Sequence, residues 1–182
     1  MNYKLLPIIA VIITYLYIYY IRKTIFLTPV VSNLNNKTYY VRELPDKNEA
    51  ANILATLDIN LNKLINSLPN NQKNNRLKKY FKGNITENIP GSMHVAYSLN
   101  KGDELSICIR SKNNLFIDQN IIMFVAIHEI SHIMTYETGH TENFWNNMKY
   151  LVENATELNI YKHVDYSTTP TEYCGITITS NP

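Results

Sequence analysis

Residues 119–140 read QNIIMFVAIHEISHIMTYETGH and carry more structural information than any other stretch of the chain. The run from Ile121 to Ile127 is apolar on every side, which predicts a buried helix over 119–137 rather than a surface one. Asp118 precedes it as a plausible N-cap, and Gly139 marks the break after it. Within that helix His128 and His132 stand four residues apart and so share a face, which lets both imidazoles aim at one point. Two histidines and Glu129 in so apolar a helix are costly to bury without a partner, and a metal ion supplies one.

The chemistry follows from the residue types. Zinc prefers nitrogen donors in a tetrahedral arrangement, and a catalytic site takes three ligands from protein while leaving the fourth position for water. Glu129 adjoins the first ligand and can take a proton from that water as it attacks a peptide carbonyl, which is the logic of H-E-x-x-H. For the third ligand, Thr135 and Thr138 stand where a metzincin has glycine and histidine, which excludes that class. Glu153 has the spacing of a thermolysin-like ligand, but it points away from the apolar face of its own helix. His140, directly after the Gly139 turn, is the better placed donor. The expected set is therefore His128, His132 and His140 for a zinc ion, with Glu129 as catalytic base.

Outward from this helix, the pattern predicts a small α+β domain over 46–182. Asp46 and Glu49 read as a capping pair before a helix with Ile53, Leu57, Leu61 and Leu64 on one face, ended by Pro69. Residues 93–99 and 105–110 alternate around Asn100-Lys-Gly-Asp, a β-hairpin signal. Thr141 caps a further helix with Phe144, Met148, Leu151 and Ala155 on its inner face, and 173–179 reads as a closing strand. Cys108 and Cys174 fall in strand-like runs outside any CxxC pair, and two buried thiols are expected ahead of the alternative, a bridge between them.

Toward the amino terminus, residues 5–21 hold no charge and Arg22-Lys23 follow at once. That run just reaches the length of a bilayer-spanning helix, with Tyr15, Tyr17, Tyr19 and Tyr20 gathered where an aromatic belt would sit. An uncleaved transmembrane anchor is expected over 1–23 and a stalk over 24–45, with 38–42 as a possible short strand. The balance of charges, a net +2, gives no electrostatic footprint for direct nucleic-acid binding. The basic run between Arg76 and Lys82 reads as a solvated face. The abundance of Asn, Ile, Lys and Tyr fits an AT-rich genome.

The sequence His128-Glu-Ile-Ser-His132, then Gly139-His140 with Phe144-Trp145 close behind, resembles the SprT and WLM (Wss1p-like) group of zinc peptidases. The tail with Asp165-Tyr166, Pro170 and Tyr173-Cys-Gly-Ile is similar to WLM-type proteins of large DNA viruses. The likeness is specific over 122–145, looser from Met93 onward, and absent from the N-terminal third. It implies a zincin-like fold, the same three histidine ligands, Glu129 as base, and a protein or peptide substrate. A catalytically silent zincin-fold structural or virion membrane protein is the alternative. Tyr166, Tyr173 and His163 are candidates for an oxyanion donor, and Glu142 for orienting His140.

Overall fold

A computed structural model of the chain describes the backbone of residues 5–89 and 91–182, with side chains for all of these except 5, 6, 16 and 18–25. The helices are α1 (Leu5–Phe26), α2 (Lys47–Ser67), α3 (Gln72–Tyr80), α4 (Gln119–Met134) and α5 (Glu142–Glu157). The strands are β1 (Leu27–Val31), β2 (Thr38–Arg42), β3 (Ile85–Glu87), β4 (Ala96–Leu99), β5 (Glu104–Ile107), β6 (Thr171–Tyr173) and β7 (Ile176–Ile178).

Five strands form one mixed sheet in the order β1-β2-β3-β5-β4. The outer pairs β1–β2 and β5–β4 are antiparallel, while β2–β3 and β3–β5 run parallel. Parallel neighbours need a crossover, and α2 with α3 supplies the one between β2 and β3. Alternation puts Tyr39 and Val41 of β2 into the core, where Leu54, Leu57, Leu61 and Leu64 of α2 meet them. Helix α4 lies in the same core through Ile122, Met123, Ala126, Ile127 and Ile130, with Phe144 and Leu151 of α5 beside it. The edge strand β4 runs against α4, so the sheet's open rim borders the helix that carries the histidine pair.

The structure departs from the sequence pattern at several points. The stretch 24–45 is no stalk, because β1 and β2 pair along five registers and join the main sheet. Asp46 occupies the N-cap position of α2 but makes no capping bond with its side chain. Its carboxylate instead meets the Arg110 guanidinium at 2.6 Å, a stronger, charge-assisted contact. Helix α4 ends at Met134 rather than at 137, since Thr135 turns extended and Arg76 Nε donates to the Ile133 carbonyl at 2.9 Å. The closing strand is a hairpin, β6–β7, because Cys174 and Gly175 both take positive φ (52° and 88°), the backbone of a two-residue type I′ turn. Cys108 and Cys174 are joined in a disulfide rather than left as thiols. Closing a loop over a separation of 66 residues removes unfolded-state freedom worth about 4 kcal/mol in the chain-entropy account.

The anchor expected over 1–23 falls largely on residues outside the described side chains. Among the described residues no helix is long and apolar enough to cross a membrane. The transmembrane assignment therefore gains no support from the fold; what stands there is helix α1, which runs directly into β1.

Candidate metal centre

The site is built from one helix, one turn and the start of the next helix. Asp118 accepts a bond from the Asn120 backbone at 2.8 Å and starts α4, so His128 and His132 fall on the same face one turn apart. Gly139 takes φ +83°, a conformation that favours glycine, and reverses the chain after α4. Thr141 then caps α5 by accepting from the Phe144 backbone N–H, which fixes His140 just outside the helix.

The three rings converge. His128 Nε2 lies 3.3 Å from His132 Nε2 and 3.1 Å from His140 Nε2. The three donor atoms all lie within 4.8 Å of one another. Tetrahedral zinc–nitrogen bonds of 2.0–2.1 Å would set neighbouring nitrogens ~3.3 Å apart, which matches the His128–His132 and His128–His140 separations. Phe144 is fully buried beneath the cluster, stacked on His132 with centroids 4.3 Å apart and edge-on to His128 at 4.9 Å. Trp145 lies beside His140, with centroids 5.6 Å apart.

The electrostatics suit ligation. Burial, then the neighbouring imidazoles, drives the His128 pKa down to about 3. Burial, then His140 and Lys101, drives that of His132 down to about 4. Both rings are thus neutral at physiological pH, as metal binding requires. Glu129 is half-buried, and burial pushes its carboxyl up to about 7 against the pull of a hydrogen bond from the Ser98 backbone in β4. It opens with His128 and His140 onto a cavity of about 350 Å3 also lined by Val95, Trp145 and Tyr173.

The other candidates are placed less centrally. Glu153 is exposed on α5 and does not line the cavity of His128, Glu129 and His140. Tyr173 reaches the cavity, but its hydroxyl donates to the Cys108 carbonyl at 2.8 Å. Tyr166 is buried against Phe124, with ring centroids 4.6 Å apart, and His163 is exposed. Glu142 is exposed in the first turn of α5, where the helix dipole suffices to account for it. Sequence reasoning missed the Ser98 contact to Glu129 and the approach of β7 to the cavity; neither leaves a local pattern. Phe144, a core position in the sequence pattern and part of the family resemblance, also forms the floor of the cluster.

Fold and site together define a small α+β domain whose metal-type site hangs from a single H-E-x-x-H helix. Comparison with known proteins gives the family: residues 33–176 match the WLM domain, and the chain belongs to that family. The match reaches well into the N-terminal third, beyond the span over which the sequence likeness was expected. Uncharacterized protein R325 of Acanthamoeba polyphaga mimivirus is 38% identical over 162 residues, covering 82% of this chain and 81% of that protein. Uncharacterized protein 136R of Invertebrate iridescent virus 6 is 33% identical over 69 residues, 36% of this chain and 38% of that one. These relatives make it a WLM-type protein of the kind found in large DNA viruses. Among solved structures, Wss1 from Saccharomyces cerevisiae superposes with a TM-score of 0.53 at 19% identity, over 66% of this chain and 88% of that one, and shares the fold.

Proposed function

We propose that the protein is a zinc-dependent peptidase that hydrolyses peptide bonds with Glu129 as general base. The observation that carries this reading is the convergence of three histidine Nε2 atoms, two of whose residues, His128 and His140, line one cavity with the half-buried Glu129. His128, His132 and His140 would hold the ion. Bound there, zinc supplies Lewis acidity, polarising a carbonyl and bringing the pKa of water toward about 7. The residues of the chain do the rest. Glu129 takes a proton from the attacking water onto a carboxylate oxygen, then delivers it to the nitrogen of the leaving amine, so the peptide bond breaks and both products leave neutral overall. A divalent cation nearby would draw the Glu129 pKa below its metal-free value, toward the ionised base. The Ser98 hydrogen bond aims the carboxylate.

The substrate is a protein or peptide; the charge balance gives no reason to add a nucleic acid. Attachment to a membrane through residues 5–21 belongs to the same proposal and rests on their uncharged, apolar sequence. Carbonate extraction of membranes from cells making the full chain tests that part: recovery in the soluble fraction removes it. For the activity, the measurement is metal content by mass spectrometry with turnover of a peptide library. Glu129→Gln is expected to keep near-stoichiometric zinc and lose turnover by ~10²–10⁴-fold. Retained turnover in that variant would end the mechanism, and a folded wild-type chain without zinc would leave the structural alternative.

A further inference from the structure

The C-terminal hairpin contributes nothing to the histidine cluster, yet it forms part of the same cavity. Tyr173, Ile176, Ile178 and Ser180 line it together with His128, Glu129 and His140. The hairpin is a two-stranded sheet of its own, unpaired with the main sheet. Strands of three residues have marginal stability by themselves, so its place depends on how it is fastened. Two of the fastenings end on one residue. The disulfide joins Cys174 to Cys108, and the Tyr173 hydroxyl donates to the Cys108 carbonyl at 2.8 Å. Cys108 directly follows β5, so both fastenings meet the main sheet at the end of that strand, where the Tyr173 ring is fully buried. A further tie lies beyond β7, where Asn181 bonds the Asp165 carboxylate and the Tyr166 backbone.

The wall so formed is apolar. Ile176 and Ile178 come from the hairpin, Val95 and Ala96 from β4 and its approach, and Phe124 and Met148 from the helices. A volume of about 350 Å3 sits at the low end of small-molecule pockets (~300–1,000 Å3), enough for one large side chain. Ile176 is 49% exposed, so it is not held by core packing.

We infer that the Cys108–Cys174 bridge holds the hairpin as one wall of a side-chain pocket, so that the oxidised protein selects a large apolar residue beside the scissile bond and the reduced protein loses that selection. The inference rests on the peptidase reading above. Reduction breaks the single S–S bond. An added dithiol supplies the two electrons and closes to its own disulfide, and its two protons end on the Cys108 and Cys174 thiols.

The test uses the full chain loaded with zinc, oxidised, dithiol-treated, and as the Cys108→Ser/Cys174→Ser double variant. Backbone hydrogen exchange is followed at 171–178 and at 119–134, with zinc content measured alongside. Two peptide hydroxamates are titrated that differ only in carrying Phe or Asp next to the hydroxamate. On reduction, exchange in the hairpin is expected to rise while α4 and the zinc content hold, and affinity for the Phe probe to fall about tenfold with the Asp probe unchanged. Ile176→Ala in the oxidised chain should weaken the Phe probe alone. Unchanged hairpin exchange overturns the latch, as does a rise shared with α4, which would make the bridge a staple of the whole domain. Equal loss of both probes overturns the pocket. Zinc-loaded protein that binds neither probe in either state overturns the peptidase reading itself.

Discussion

Tyr173 gives its phenolic hydrogen to the backbone oxygen of Cys108 at 2.8 Å while its ring borders the cavity that Glu129 also lines. A donor already committed to a buried carbonyl is not free to stabilise an oxyanion. Burial first, and then the Glu129 charge, raises the Tyr173 pKa, so the phenol stays protonated and keeps the bond. Tyr173→Phe is therefore expected to cost about 1–1.5 kcal/mol in unfolding free energy and less than tenfold in kcat. Urea unfolding and steady-state kinetics on the zinc-loaded variant check both. A loss of 10²–10³ in kcat with KM unchanged would return Tyr173 to the role of oxyanion donor.

His140 and Glu153 both have the spacing of a third ligand, and their positions separate them. His140 Nε2 is 3.1 Å from His128 Nε2, whereas Glu153 faces solvent on α5. His140→Ala should weaken zinc affinity by more than the ~100-fold that a lost outer partner costs. Glu153→Ala should leave it unchanged, as surface substitutions away from special features do. Competition titration against a chromogenic chelator reads both. A large effect from Glu153 with none from His140 would overturn the ligand set.

What the sequence disclosed was local. The i, i+4 histidine pair, the Gly139 break, the Thr141 cap and the alternation flanking Asn100-Lys-Gly-Asp each act within a few residues, and all appear in the structure near their expected places. What stayed hidden was long-range. No periodicity announces that β3 pairs in parallel with both β2 and β5, or that β1 and β2 close the far side of the sheet. Asp46 carries a capping pattern, but Arg110, distant in sequence, outcompetes the helix end for its carboxylate. Cys108 and Cys174 show their pairing only once the Cys174-Gly175 turn has brought the hairpin beside β5.

Arg110 holds a buried charge network together. Its Nε meets Glu87 Oε1 at 2.9 Å, both side chains being 1% exposed, and its Nη1 meets Asp46 at 2.6 Å. Glu87 in turn accepts the Arg42 backbone N–H at 2.8 Å, which ties β3 to β2. Removing one partner strands the other, so Arg110→Ala is expected to cost about 3–5 kcal/mol. The paired replacement Arg110→Met with Glu87→Gln removes the stranded charge and should recover most of that loss. Chemical denaturation of the three proteins decides. If the double variant is as unstable as Arg110→Ala, the cost lies in packing over Phe116, whose ring sits 4.1 Å below the guanidinium, rather than in charge.

The metal-free protein should carry its site in its acid stability. His128 and His132 titrate near 3 and 4 in the fold, against about 6.5 in an unfolded chain. Their folded values are depressed, so below about pH 6.5 the unfolded chain holds two more protons than the fold, and stability falls as the pH drops toward 4. Glu129 works the other way. Its folded value of about 7 exceeds the unfolded ~4.3, so between those limits the fold holds one proton that the unfolded chain does not. The net difference from this site across pH 4.5–6.5 is one proton, or about 1.4 kcal/mol per pH unit. Glu129→Gln deletes the offsetting proton and should double that slope. Unfolding free energies in chelator at half-unit pH steps measure it for wild type and variant. Parallel profiles would show that Glu129 is solvated in the metal-free fold like an ordinary surface carboxylate, and that burial does not raise its pKa.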